Sequence, residues 1–277
     1  MKIGVITRNP QSFATSRLIK SLEELGQDVI PFRFNDIVAY IGDEVKLFVR
    51  GINIVKEFAA VVVRPIGRAS LDQALLRIDL LYALQENGVR VFNRPEAIEK
   101  CSDKFRSLYT LSMNGIPVPT TIVTERSSLA MRSLDMLNSD AVVLKPMFGS
   151  RGHGSAMVRK RERDVLWELV RSLTYHRHVA YMQEFIHHGG VDIRVFVLGN
   201  QVLAAMYRRA PPGAWKTNIA QGGAPIRIDK LDPEIEEVAL KAAGVLHCDI
   251  AGVDMAVING KPVVFEVNSQ PDWRGLQ

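Results

Sequence analysis

The sequence predicts an α/β protein, with a parallel βαβ domain first and mixed α+β lobes after it. Three observations carry this. Strand-like and helix-like segments alternate through the first third, a glycine-rich stretch interrupts the middle third, and the last third reads as paired antiparallel strands. With 277 residues, 47% hydrophobic and 23% charged, the chain is long enough for two or three lobes around sizeable cores.

The elements follow in order. Lys2 to Ile6 is a strand, and Leu18, Ile19, Leu22 and Leu25 then recur at helical spacing up to Gly26, which suits a helix end. Ala60 to Val63 is a continuous apolar run, expected of a strand buried on both faces. Ser70-Leu71-Asp72-Gln73 is a capping box, opening a helix whose core stripe is expected to include Leu71, Leu75, Ile78 and Tyr82. Gly88 closes it, and Val89 to Phe92 is the next strand. No GxGxxG follows the first strand, so a dinucleotide fingerprint is lacking.

In the middle third, Ser102 is expected to cap a helix running to Asn114, stopped by Gly115 and Pro117. Ala141 to Lys145 is a strand leading into Pro146-Met-Phe-Gly-Ser-Arg-Gly-His-Gly154. A helix from Arg163 to about Tyr175 and a strand from Val179 to Ile186 follow. Beyond them, Gly199-Asn200 turns one hairpin, Asp232-Pro233 starts a helix, and Asn259-Gly260-Lys261 separates the last two strands. The expected domains are 1–93, 94–186 and 187–277.

Composition excludes several classes. No apolar run approaches the roughly 20 residues of a membrane span, and the N-terminus lacks the pattern of a signal peptide, so a cytoplasmic protein is expected. Cys101 and Cys248 are far apart in sequence with no CxxC partner, which argues against a disulfide framework or a zinc site. The net charge of +5 favours anionic ligands. The short basic run Arg159-Lys160-Arg161 with Arg163 reads as a solvated helix start, so no nucleic-acid partner is expected. A homo-oligomer is compatible with the sequence but not specified by it.

The strongest constellation is Asp254, Glu266 and Asn268. Glu266 and Asn268 stand two apart on a strand, so both project from one face. Carboxylate and amide oxygens on an apolar strand suit Mg²⁺, which takes few protein ligands plus phosphate oxygens. Asp254 joins them only if it opposes Glu266 across the hairpin. Strand parity then calls for a three- or five-residue loop rather than a two-residue Asn259-Gly260 turn.

Lys145 ends an apolar strand just before Gly149, Ser150, Gly152 and Gly154, where glycines let backbone N–H groups approach phosphate oxygens. The loop is not a Walker A motif, and a plain glycine-rich hairpin is the alternative. Lys104 sits in a first helical turn, where the dipole disfavours a cation unless an anion binds nearby. Gln183-Glu184-Phe185-Ile186 leads from an apolar strand into a linker, placing backbone groups against a base and Glu184 or Asp192 near ribose hydroxyls; a core strand with an exposed acid reads equally well. Arg208-Arg209, Lys216-Thr-Asn218 and Gln221-Gly-Gly223 line an irregular segment suited to phosphoryl or carboxylate contacts.

Together these motifs resemble the ATP-grasp enzymes, and within them the RimK-like glutamate ligases. The matching stretches are Asn93 to Ile98, Asp103-Lys104, Lys145-Pro146 with the glycine loop, Gln183 to Ile186, Asp192 to Arg194, Arg208 to Asn218 with Gly222-Gly223, and Gly252-Val-Asp254 with Glu266-Val-Asn268. They span essentially the whole chain in the family's order. The resemblance implies an ATP-grasp fold gripping ATP between the second and third lobes. Lys104 and Lys145 would meet the phosphates, and Glu184 with Ile186 the adenine. Asp254, Glu266 and Asn268 would hold Mg²⁺ or Mn²⁺, as two ions, with Arg208 at the transferred phosphate and Lys216 and Asn218 near the acceptor carboxylate.

The implied reaction joins a carboxylate to an amine through an acyl phosphate. L-glutamate would be added to a small coenzyme such as tetrahydromethanopterin or to a protein C-terminus. A lysine-biosynthesis ligase acting on a carrier protein and a non-catalytic nucleotide-binding regulator are the competing readings. Relatives continue for another helix beyond the segment matching Gly275-Leu-Gln277, so the resemblance implies either an unusual C-terminal end or a truncated sequence.

Overall fold

The structure is a computed structural model that describes residues 2–67, 69–149 and 154–276. Its elements in chain order are β1 (Lys2–Ile6), α1 (Phe13–Glu24), β2 (Asp28–Phe32), β3 (Ile37–Ile41), β4 (Val45–Val49), β5 (Ile52–Asn53), α2 (Ile54–Glu57), β6 (Phe58–Val63), α3 (Leu71–Glu86) and β7 (Arg90–Phe92). The middle of the chain holds α4 (Pro95–Ser102), α5 (Lys104–Met113), β8 (Thr121–Thr124), α6 (Ser127–Arg132), β9 (Ala141–Lys145), β10 (Ala156–Arg159), α7 (Arg163–Tyr175) and β11 (Ala180–Glu184). The remainder is β12 (Val191–Leu198), β13 (Gln201–Arg209), β14 (Ala224–Arg227), α8 (Pro233–Val245), β15 (Ile250–Ile258) and β16 (Lys261–Asn268).

The expected parallel sheet is present, with strand order β2-β1-β6-β7 and parallel pairing throughout. A small antiparallel sheet, β3-β4-β5, branches from it between β2 and β6, which the sequence reading did not anticipate. The helix capped by Ser70 forms as expected, with the Ser70 side chain accepting from the Gln73 amide. Its buried stripe differs from the one expected. Leu80, Leu81 and Leu84 face the core, while Leu71 and Leu75 are more than half exposed. Leucines occupy several overlapping stripes of this helix, so spacing alone does not fix which one is buried.

Two antiparallel sheets follow, β10-β9-β11-β8 and β14-β13-β12-β15-β16. Helix α8 packs on the second, burying Ile235, Ala239, Ala242 and Ala243 against Val195, Val253 and Val267. Ala97 of α4 and Leu111 of α5 join this same core. Asn93 ties the start of α4 to the sheet: its Nδ2 donates to Ile250 O and Ser269 O, and its Oδ1 accepts from Ile250 N at 2.7 Å.

The helix expected from Ser102 starts one residue later. Asp103 caps α5, accepting from Phe105 N and Arg106 N, while Ser102 ends α4 and donates to Ile98 O. Cys101 and Cys248, distant in sequence, lie with their sulfurs 3.5 Å apart as free thiols. No described helix is long and apolar enough to cross a membrane.

The last hairpin departs from the loop expectation. Ile258 pairs with Lys261, so Asn259 and Gly260 form a two-residue turn, both at positive φ of 51° and 79°. On parity alone this turn would set Asp254 and Glu266 on opposite faces. Between Met255↔Val264 and Asp254↔Glu266, however, the register shifts by a β-bulge at Phe265. The extra residue restores the facing pair.

Candidate active site

One cleft gathers most of the expected site residues. It opens between the sheet of β9 and β11 and the sheet of β12, β13, β15 and β16. Lys104, Lys145 and Gly149 line one part, and Glu184, Phe185 and Ile186 another. Asp192, Arg208, Lys216, Asn218, Asp254 and Glu266 complete its wall. Asn268 stands two pairs beyond Glu266, opposite Gly252, with its Nδ2 3.4 Å from Gly252 O. Gly154 lies just past the loop at φ +75°, against Pro146. Ser150 and Gly152 fall outside the described residues.

The central wall is a buried network of charges. Arg208 grips Asp192 with Nε to Oδ1 at 2.8 Å and Nη2 to Oδ2 at 2.5 Å, and its Nη2 also lies 3.1 Å from Asp254 Oδ2. Arg194 forms a second fork on Asp254, from Nε to Oδ1 and from Nη2 to Oδ2. The pairing follows from register: Asp192 opposes Arg208 across β12–β13, and Arg194 opposes Asp254 across β12–β15. Burial alone would push the Asp254 carboxyl up, but Arg194 and Arg208 outweigh it and hold it below the usual carboxylate range. Burial likewise works against charge on Arg208, and Asp254 with Asp192 more than offsets it. Both groups stay ionised.

The sequence offers either Glu184 or Asp192 for the ribose hydroxyls. Asp192 is buried, with its oxygens taken by Arg208 and by the Thr217 hydroxyl, which donates at 2.6 Å. Glu184 accepts from Thr120 N at 2.8 Å, pinning the end of β11 to the segment before β8.

The lysines sit where the first sheet meets the second. Lys104 Nζ donates to Gly149 O at 2.6 Å and lies 3.2 Å from Glu266 Oε1. Lys145 Nζ donates to Gln183 Oε1 at 2.5 Å, and Gln183 in turn donates to Thr121 Oγ1 at 2.9 Å. Burial in the cleft lowers the Lys145 ammonium to about 8, Lys104 adds repulsion, and Glu266 and Asp254 pull the other way.

Lys216, Thr217 and Asn218 are set by a close backbone approach. A Cβ on Gly223 would fall 2.0 Å from Thr217 O, so only glycine allows this segment to fold back on itself. Lys216 Nζ lies over the Trp215 ring at 5.3 Å. Phe185, Trp215, His188 and Phe265 form an aromatic group beside Ile186, with Phe185 and Trp215 edge to face at 6.1 Å. Burial lowers the His188 pKa, so this ring is neutral and apolar in character at neutral pH.

The sequence reading gave no role to Arg194, Gln183, Thr217 or the aromatic rings beside Phe185, namely Trp215, His188 and Phe265. Arg194 was findable: it stands two residues from Asp192, so strand alternation puts both on one face. Thr217 and the aromatics needed the fold.

The arrangement suits a nucleotide with a divalent cation. Two lysines, aromatic and aliphatic side chains and the two opposed carboxylates Asp254 and Glu266 all line the one cleft. Among the described residues no group of three or more His, Cys, Asp or Glu is arranged to hold a metal. Asp254 and Glu266, facing each other, with the Asn268 amide on the same strand as Glu266, are oxygen donors of the kind that fits Mg²⁺ completed by phosphate oxygens.

Comparison with known proteins shows the family and the fold. A family profile described as RimK-like ATP-grasp domain matches residues 101–277. Over 309 aligned residues the chain is 33% identical to the tetrahydromethanopterin:alpha-L-glutamate ligase of Methanosarcina acetivorans, covering 99% of this chain and 93% of that relative. It is also 33% identical to the probable alpha-L-glutamate ligase of Pseudoalteromonas translucida, covering 100% of this chain and 90% of the relative. Among solved structures it is similar to the ATP-grasp ligase PsnB complexed with minimal precursor, Mg and ADP. That likeness has a TM-score of 0.72 at 20% identity, covering 99% of this chain and 90% of the other.

Proposed function

The chain belongs to the RimK-like ATP-grasp family, and on that premise we propose that it is an ADP-forming ligase joining the amine of L-glutamate to a carboxylate acceptor. The observation that carries the reading is the facing pair Asp254 and Glu266, set between Lys104 and Lys145 on one side and Arg208 on the other.

A carboxylate does not react with an amine at neutral pH until one of its oxygens becomes a leaving group. Lys104 and Lys145 bind the ATP phosphates, and Glu184, Phe185 and Ile186 flank the adenine. Asp254, Glu266 and Asn268 would hold Mg²⁺ or Mn²⁺, as two ions, which would supply positive charge against the transferring phosphoryl group. The acceptor carboxylate oxygen attacks the γ-phosphorus, the bond to the β-phosphate oxygen breaks, and ADP leaves. Arg208, fixed by Asp192, faces the acyl phosphate. The glutamate amine then attacks the carbonyl carbon, the C–O bond to phosphate breaks, and the amine proton is released with inorganic phosphate. Lys216 and Asn218 orient the acceptor, and donors around the tetrahedral oxyanion stabilise it.

Relatives carry names that include tetrahydromethanopterin, and solved neighbours are complexed with precursor peptides, so both acceptor classes belong in the test. The experiment is ADP release with ATP, Mg²⁺ and glutamate over a panel containing tetrahydromethanopterin and glutamate-terminated peptides. Glutamate-dependent ADP release with one acceptor supports the reading. ADP release that ignores glutamate with every acceptor removes glutamate as the amine.

A further inference from the structure

The parallel sheet of the first lobe contains a second feature that the reading above does not use. Its order is β2-β1-β6-β7, and the chain leaves β1 toward β2 but leaves β6 toward β7. Connections that depart in opposite directions open a crevice at the carboxyl ends of the two central strands, where parallel α/β sheets bind ligands. Each of these strands delivers an arginine there: Arg8 follows β1 by two residues, and Arg64 follows β6 directly.

The crevice is shaped around those side chains. Gly67 stands at φ +83°, and a Cβ there would lie 2.3 Å from Arg8 Cδ and 3.1 Å from Arg8 Nε. The segment after β16 crosses the opening from the third lobe. Gln270 Oε1 accepts from Ile66 N at 3.3 Å, and Pro271 O accepts from Arg64 Nη2 at 3.0 Å. The Arg64 guanidinium lies over Trp273 at 5.0 Å, and Arg274 and Arg17 both lie over Phe13, at 5.1 and 4.4 Å. Stacking on rings holds guanidinium planes in place without neutralising them. Arg8, Arg17 and Arg274 are exposed and form no ion pair among the described residues. Asp272, the acid of this segment, accepts from Arg274 N at 3.1 Å.

The crevice also connects with the carboxylate pair. A Cβ on Gly252 would lie 2.9 Å from Pro271 Cβ and 3.1 Å from Arg194 Nη1. Gly252 precedes Asp254 by two residues on β15, a separation of roughly 7 Å along a strand. Pro271 thus joins Arg64 and Trp273 to the wall that holds Asp254.

We propose that this inter-lobe crevice, with Arg8, Arg17 and Arg274 at its rim, binds an oxyanion on the acceptor, carboxylate or phosphate, away from the carboxyl that reacts. The proposal rests on the ligase reading, since that reading supplies the acceptor. Planar guanidiniums match both oxyanions in bidentate geometry.

The test titrates the full chain, loaded with ADP and Mg²⁺ to fill the nucleotide cleft, with triglutamate, glycerol phosphate and free glutamate. Arg274→Gln and Arg8→Gln change exposed side chains, and unchanged melting curves verify their folding. Binding of triglutamate or glycerol phosphate is expected to weaken about tenfold in each variant, with ADP affinity and free glutamate binding unaltered. Whichever of the two probes binds identifies the oxyanion. The proposal is overturned if neither probe binds the wild type more tightly than the variants, or if the loss falls on free glutamate. Should triglutamate bind as expected while no carboxylate supports ADP release, the ligase reading fails and the anion site stands.

Discussion

Asp254 stands directly opposite Glu266 across the last hairpin, and it does so because Phe265 is one residue too many for a regular ladder. Each carboxylate already faces protein cations, Asp254 the fork of Arg194 and one nitrogen of Arg208, and Glu266 the ammonium of Lys104. These cations sit where a divalent ion and phosphates would add or exchange charge. Glu266→Gln keeps the shape and removes the charge. Turnover should fall by about 100-fold or more, with a higher Mg²⁺ requirement and little change in stability, since a part-exposed pair contributes at most about 1 kcal/mol. A Mg²⁺ titration of ADP formation checks it; identical Mg²⁺ dependence in the variant would count against the metal role.

Arg194 supports Asp254 structurally. Removing Arg194 takes the two-point fork from the buried Asp254 carboxylate and leaves it Arg208 Nη2 alone, at 3.1 Å, so Arg194→Met should cost roughly 3 kcal/mol in urea unfolding. Arg194→Met combined with Asp254→Leu should be less destabilised than the single change, because the stranded carboxylate is gone. Equal or greater loss in the double variant would mean that packing, not charge, dominates here.

Lys145 gives the site a pH signature. Its ammonium titrates at about 8 against an ordinary 10.5, chiefly through burial. ADP affinity should therefore weaken as pH rises through about 8, and Lys145→Met should flatten that slope. For stability the sign is opposite. Between about 8 and 10.5 the unfolded chain binds a proton that the folded chain has released, so this group adds stability as pH rises through that window. Binding curves and urea midpoints from pH 7 to 10 measure both.

Gly223→Ala tests how the acceptor segment is held. The new Cβ would collide with Thr217 O, displacing Thr217 from Asp192 and, through Asp192, loosening Arg208. A drop of about tenfold or more in kcat/KM is expected, with a stability loss of about 1–3 kcal/mol. Unchanged kinetics would show that residues 216–218 do not position substrate.

Much of the site was legible because buried strands rarely carry acids and amides, so Glu266, Asn268 and Asp254 stand out against apolar neighbours. The alternation of strand and helix was equally plain in the first lobe. The bulge was not legible, since local residue choice at Val264-Phe265-Glu266 resembles any strand and only pairing reveals the shift. The buried stripe of α3 was hidden by surplus leucines, and the α5 cap by two adjacent residues able to serve, Ser102 and Asp103. Thr217 and Trp215 lie in an irregular segment, where no periodicity says which side chain points inward.

The central claim is that a carboxylate is activated by phosphoryl transfer in the cleft between Lys145 and Asp254. An acceptor labelled with ¹⁸O in its carboxyl group, incubated with ATP, Mg²⁺, glutamate and enzyme, tests it by mass spectrometry of the released phosphate. The account predicts one ¹⁸O per phosphate in the wild type and no labelled phosphate above background with Glu266→Ala. Amide formed with unlabelled phosphate would contradict it.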